Sequence, residues 1–384
     1  MTGRWSDDGF LDGIRAQADP LADATVRALI DEHGIAKANQ VFATLRTERC
    51  PLPEDTPGPL RDFLDQTDRL PAGVDQDRLA KGADAFMERA ASGAMILLAS
   101  SLPQGYGAPS LCEVLTVSDN LATHPYKRLM GVVQLLVNLA TPGAFRPDGE
   151  AIVSAQKLRL LHAGVRTIVP KYRPDYLERF GPPSNHEDML ATIMAFSYLV
   201  VDGYRALDLE FEAAEDFYYS WAVFAQMMGI HPDGAPDDAS FVPTDLTAAK
   251  TFYDAYSRRN YTPASENPHG PELAAKNLEM MENMIPHTLR ILGFGRAPRV
   301  LMTELLTPEA MARVEIEPAS TGGLGDRLLH LGLMLAQDFS KETPHLVDIL
   351  ARHVFQGMID AARGGQVAFV IPDSLEALRG EGLV

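Results

Sequence analysis

Histidine is the side chain most often used to hold a metal or move a proton near neutral pH, and the 384-residue chain has ten. His162 stands out by its setting. It lies in QKLRLLHAGVRTIV, Gln156 to Val169, where Leu158, Leu161, Val165, Ile168 and Val169 recur at helical spacing as one apolar stripe. Lys157, Arg159 and Arg166 fall off the centre of that stripe. An imidazole taken out of water keeps one donor and one acceptor to satisfy. It is therefore either a core histidine bonded to its neighbours, or a ligand with one nitrogen on a metal and the other on a carbonyl or carboxylate. The spacing leaves both readings open.

Other groupings carry less chemistry. Asn185-His186-Glu187-Asp188 collects ligand-type side chains, but adjacent residues at a helix start point in different directions. Ser184 or Asn185 ahead of acidic residues reads as a helix cap. Cys50 and Cys112 are the only cysteines, too few for a disulfide framework, a Cys-rich zinc site or an iron–sulfur cluster. Cys112 as a thiolate ligand lacks a supporting environment. No C-x-x-C-H occurs, so any haem is held non-covalently. Gly322-Gly323-Leu324-Gly325 follows no clear strand, which argues against a nucleotide loop. Walker, H-E-x-x-H and G-x-S-x-G patterns are absent. Met280, Met281 and Met284 read as core filler, and Asp202-Gly203-Tyr204 as a point of close packing.

These residues must be positioned by helices. Apolar content is 46%, ordinary for a chain with a substantial core. The apolar segments are long and helix-spaced, and Pro and Gly clusters separate them. That pattern predicts an all-α protein, read as a single large helical domain over 1–384, with a core of about 18–315 and a C-terminal helical extension of about 316–384. Asp19-Pro20 caps a helix that Gly34 ends, and a second runs from about Ile35 through Leu45. Further helices are expected at Leu79–Ala99, Leu111–Leu121, Arg128–Ala140, through His162 to Pro170, Asp188–Leu207, Glu212–Met228 and Leu246–Asn260. Shorter ones follow to Val314, with more helix at Arg327–Ala336 and Thr343–Ala362 and a strand-like scrap at Gln366–Ile371. In Arg128–Ala140 the interior polar residues are Gln134 and Asn138, so that helix should be buried on most sides.

Charge bounds the partners. Thirty-four Lys and Arg against 52 Asp and Glu leave a net charge of −18, which repels nucleic-acid backbones and anionic lipid. MTGRWSDDGF is not a secretory signal, and the longest uncharged runs are too short or too polar to span a bilayer. The expectation is a cytoplasmic protein with no membrane span.

The segment TPGAFRPDG followed by QKLRLLHAGVR resembles the latex-clearing proteins, which are rubber oxygenases, and the wider family they form with the mpaB-type oxygenases. ADPLADATVRALIDEHG is similar to that family's opening motif, and RLMGVVQLLVNLATPGAF to its distal helix and following loop. EDMLATIMAFSYLVVDGYRALDLEFEAAEDFYYSWAVFAQMMGI and SRRNYTPASENPHGPELA resemble later segments, so the resemblance covers most of residues 18–315. It implies an all-helical fold with a globin-like core holding haem b. It also implies His162 as the proximal iron ligand and dioxygen bound on the opposite side. Arg128 matches the family's distal arginine, a fixed cation for bound dioxygen or a haem propionate; without the resemblance it reads as a solvated charge at a helix start. Glu113 stands near the position of a glutamate proposed as a base in the family, offset by about one residue; unaided, it reads as a solvated carboxylate.

Departures from the family pattern shape the expected chemistry. The family places a lysine and a threonine three and four residues after the distal arginine; here these are Gly131 and Val132. Such a wall is roomier and less polar. It suits a hydrophobic small-molecule substrate and argues against polyisoprene. The expected function is a haem b-dependent oxygenase acting on a hydrophobic, unsaturated, isoprenoid-like small molecule. The alternatives are a peroxide-driven haem oxidase, a haem-binding sensor or carrier without turnover, and a helical protein that has lost haem.

Overall fold

A computed structural model describes residues 3–44, 56–87, 89–117, 132, 135, 136, 138, 139, 141, 143–147, 149–285 and 294–319. The protein is all-α, and among the described residues no strand occurs. The first helices are α1 Asp8–Arg15, α2 Pro20–Thr44, α3 Gly58–Thr67, α4 Gln76–Met87, α5 Ala90–Ile96, a π-helical turn Leu97–Ser101, α6 Leu102–Gly105 and α7 Pro109–Val117. There follow α8 Glu150–Tyr172, α9 Tyr176–Phe180, α10 His186–Phe196, α11 Tyr198–Ala206 and α12 Ala214–Met227. The last are α13 Leu246–Asn260, α14 His269–Met284, α15 Ala297–Leu305 and α16 Pro308–Arg313. Between α7 and α8, Val132, Leu135, Leu136, Asn138 and Leu139 are helical. The expected C-terminal helices and the strand-like Gln366–Ile371 lie outside the described residues.

Local chemistry sets many of the boundaries. Asp19 caps α2 by accepting from the Ala22 amide at 3.1 Å, and Gly34 breaks that helix with φ 74° and ψ 161°. Asn185 caps α10 by accepting from the Asp188 amide at 2.9 Å, and Asp245 caps α13 from the Ala248 amide at 2.8 Å. Gly229, at φ +84°, stops the chain just beyond α12.

Two expected helices are interrupted. Leu79–Ala99 is divided between α4, α5 and the π turn. Pro103 follows, with no amide hydrogen for a carbonyl four residues back and a ring that needs room there; the wider π turn supplies it, and the Leu102 amide reaches back five residues to the Leu97 carbonyl. Asp188–Leu207 is divided at Ser197, whose hydroxyl donates to the Ile193 carbonyl at 2.7 Å and competes with the main-chain ladder. In the other direction, α8 runs two residues past Pro170.

The buried side chains form two clusters. The larger is built on α10, α11, α12 and α13; the smaller joins α2, α3, α8 and α9. Small residues permit close approach. A β-carbon on Gly82 would strike the Asp216 carbonyl where α4 meets α12, and one on Gly203 would strike Ile96. The packing reading of Gly203 therefore holds.

The buried side of α8 matches the expected stripe only at Ile168 and Val169. Ile152, Ala155, Leu160 and Ala163 are buried, while Leu158, Leu161 and Val165 are only half-buried. Arg159, expected off-centre, lies in the interior because Asp19 neutralises it, with contacts of 2.6 Å to Nε and 3.0 Å to Nη2. Its planar fork and the carboxylate form a bidentate pair, the arrangement that makes a buried guanidinium tolerable.

A candidate active-site cavity

An apolar cavity of about 160 Å³ opens among α6, α7, α10, α13 and α14. On α7, Leu111 and Leu115 are one turn apart and share the cavity face. Val132 adds to this wall. From α10 come Ala191, Ala195 and Phe196, and from α14 Met280. Its polar rim is built from Ser101, Tyr106, Thr192, Tyr253, Tyr256, Tyr261 and Asn277.

The hydroxyls of that rim are largely engaged. The Gln104 amide donates to the Ser100 hydroxyl at 2.9 Å, which leaves the Gln104 oxygen facing Tyr253 at 3.1 Å. Tyr253 must then donate to Gln104, and Tyr261 donates to Tyr253 across 2.7 Å. Tyr256 donates to Asp188 at 2.8 Å, and Thr192 to the Asp188 carbonyl at 2.9 Å. Burial raises the pKa of Tyr253 and Tyr256 and pushes Tyr261 up to about 12, so all three phenols are neutral at physiological pH.

Asp188 ties the cavity to an ion cluster. Arg15 bonds Glu187 at 2.7 Å and Asp188 at 3.2 Å, and Arg259 bonds Glu187 at 3.2 Å. The cap reading of the Asn185–Asp188 segment was right for Asn185. The acidic residues after it do more, pinning α1 and α13 to α10. Nothing local in the sequence signals those arginines.

The expected site residues are placed unequally. Val132 lines the cavity. Arg128 and Gly131 lie outside the described residues. His162 sits on the half-buried side of α8 and does not line the cavity. One turn before it, Leu158 packs on the larger cluster; about one turn after it, Val165 packs on the smaller. His162 therefore stands at the seam between them. Helix α7 follows the same seam, with Leu115 in the first group and Val114 in the second. Asn138 donates to Ser154 at 3.0 Å, tying the segment that carries Val132 to α8 about two turns before His162.

Glu113 does not line the cavity, and its reading as a solvated carboxylate does not hold. Two residues from Leu111 on a helix is roughly 200° around the axis, so Glu113 faces away from the cavity. It is buried and paired with Arg179 at 2.8 Å, neither solvated nor placed to take a proton from a molecule in the cavity. Cys112 is equally unsuited as a ligand. Burial pushes its thiol up to about 12, and its sulfur donates to the Tyr106 carbonyl at 3.2 Å.

The family model described as "ER-bound oxygenase mpaB/B'/Rubber oxygenase, catalytic domain" matches residues 81–334. The chain belongs to this family. A rubber oxygenase of Streptomyces sp. (strain K30) is 25% identical over 244 residues, 60% of this chain and 59% of the relative. The match thus spans less than two thirds of that relative's length. A structure of a latex-clearing protein in the closed state superposes with a TM-score of 0.65 at 18% identity, covering 90% of each chain. At that identity it is the helical fold that the two share. All the cavity-lining residues of this mpaB/rubber-oxygenase family member, from Ser101 to Met280, fall inside the matched catalytic-domain segment.

Proposed function

We propose that this chain is a haem b-dependent oxygenase that uses dioxygen to oxidise a hydrophobic, unsaturated small molecule. The observation that carries the reading is the apolar cavity within the family's catalytic domain, with Val132 on its wall. Its volume is in the range that takes a benzene-sized guest, which suits a short isoprenoid unit. A polymer could at most insert one end.

The setting of His162 supports a haem. Among the described residues, no group of three or more His, Cys, Asp or Glu side chains gathers that could hold a metal ion alone. A porphyrin brings four nitrogens of its own and asks the protein for one axial side chain. His162, half-buried on a seam between two apolar clusters, is the residue we assign to that role. Arg128 would supply a fixed positive charge for a haem propionate or for dioxygen. When bound, haem would supply dioxygen activation, which no amino-acid side chain performs unaided.

The chain's own contribution is binding and exclusion. Leu111, Leu115, Val132 and Phe196 hold the apolar body of the substrate and keep water out. Three neutral phenols, tied to one another or to Asp188, add no charge to the wall. Among the described residues that line the cavity, none is a carboxylate. Val132 leaves this wall without the hydroxyl that the threonine supplies in latex-clearing proteins. Among the described residues no helix is long and apolar enough to cross a membrane.

The test is spectroscopic. The purified protein should show a Soret band that disappears in His162→Ala while the far-ultraviolet circular dichroism stays helical. A colourless protein that stays so after haem addition rejects the assignment. Oxygen uptake with a panel of short isoprenoids should follow. Consumption only when peroxide replaces dioxygen would establish the peroxide-driven alternative, and a haem protein that consumes neither would be a sensor or carrier.

A further inference from the structure

The polar capacity of the cavity is concentrated at one corner. Ser101 is fully buried and its hydroxyl has no partner among the described residues. Buried serines and threonines on helices usually donate to the carbonyl four residues back, as Thr192 and Ser197 do here. Ser101 does not; it closes the π turn, where the Leu97 carbonyl is taken by the Leu102 amide. Asn277, 4% exposed, donates its side-chain amide to the Leu98 carbonyl at 2.7 Å. That bond fixes the amide orientation, because the flipped form would set oxygen against oxygen. The Asn277 Oδ1 oxygen is then left as a buried acceptor with no partner among the described residues. Asn277 thus bonds the π turn that Ser101 closes, three residues before Ser101, and both Ser101 and Asn277 line the cavity.

We propose that Ser101 and Asn277 form a subsite for one hydroxyl group, so that the substrate is a short unsaturated alcohol rather than a hydrocarbon. This rests on the oxygenase reading above and narrows its substrate class. The donor and acceptor count selects the group. Ser101 gives and accepts; Asn277 Oδ1 only accepts. A hydroxyl accepts from Ser101 and donates to Asn277, meeting both. A carbonyl meets Ser101 alone and leaves the Asn277 oxygen unsatisfied. A carboxylate is repelled by that oxygen and finds no cation among the described lining residues. An ammonium finds no free anion there, since Asp188 is held by Arg15 and Tyr256. The other buried hydroxyls without partners, on Ser110 and Thr262, do not line the cavity.

The test compares 3-methylbut-2-en-1-ol with 2-methylpent-2-ene, in which a methyl replaces the hydroxyl. Binding of each to the full-length protein is measured by titration calorimetry. The alcohol should bind about tenfold tighter, the worth of two modest hydrogen bonds. Ser101→Ala should bring the two ligands to near parity by weakening the alcohol, with the hydrocarbon unchanged. Asn277→Leu should do the same. If it fails to fold, Ser101→Ala decides alone. Ser110→Ala, outside the cavity, should keep the wild-type preference. Equal affinities in the wild type, a preference that survives Ser101→Ala, or no binding of either ligand overturns the subsite. Calorimetry reads binding without turnover, which separates the two proposals. An alcohol preference without a Soret band upholds the subsite and rejects haem; a Soret band without the preference does the reverse.

Discussion

His186 shows how much a single side chain can hide. It is 3% exposed, neither ring nitrogen has a partner among the described residues, and burial lowers its pKa to about 4. The unfolded chain binds a proton near 6.5 that the folded chain refuses until about 4. Its contribution to stability is complete above pH 6.5 and is lost as pH falls from there toward 4. His186→Phe should therefore flatten the acid limb of a urea-unfolding stability curve in that window and leave the pH 8 value nearly unchanged. Equal acid slopes in the two proteins would show that other groups carry the effect. The residue to its left was legible, since Asn185 is a cap by type and position. His186 was not, because its isolation depends on partners that come from distant segments. The same holds for Asp19, which reads as a cap in the sequence. Its second role, neutralising Arg159 from 140 residues away, leaves no local trace.

Elements were readable where local chemistry sets them. Leu246–Asn260 has the bounds its spacing predicts, and Asp245 caps it. They were not readable where tertiary packing does. Gly203 against Ile96 fixes how α11 crosses α5, and only the glycine hints at it. On α8, charge alone places Arg159 toward solvent, whereas it is buried. The Arg159–Asp19 pair that reverses this also joins the start of α2 to α8. Asp19→Ala leaves a guanidinium buried without its counter-charge, so the cost should be about 3–5 kcal/mol, and loss of the cap adds about 1 kcal/mol. Chemical denaturation should show this as a lower midpoint at constant slope. The paired change Asp19→Leu with Arg159→Met should recover most of the loss. A small effect of Asp19→Ala would mean that water reaches the pair.

At the scale of the whole molecule, the all-α fold followed from periodicity and punctuation alone, and the family from motifs in order. The cavity did not, since its walls come from elements spread between Ser101 and Met280. Haem should stabilise the folded chain by mass action, by about 2.7 kcal/mol when its free concentration is a hundredfold above its dissociation constant. Thermal unfolding should shift upward with added haem in the wild type and stay unmoved in His162→Ala; an equal shift in both would assign the binding elsewhere. The five residues from Leu97 to Ser101 have a further consequence. A π turn holds one amino acid more than the α-helix it interrupts. Deleting any one of them would let the ladder close in ordinary register, turning the downstream chain by about 100° and drawing it back by about 1.5 Å. Ser101 and Tyr106 would swing off their wall together, although no side-chain chemistry had changed. A deletion upstream of Ser101 would therefore disturb the proposed hydroxyl subsite as strongly as Ser101→Ala, with the serine itself still in the chain.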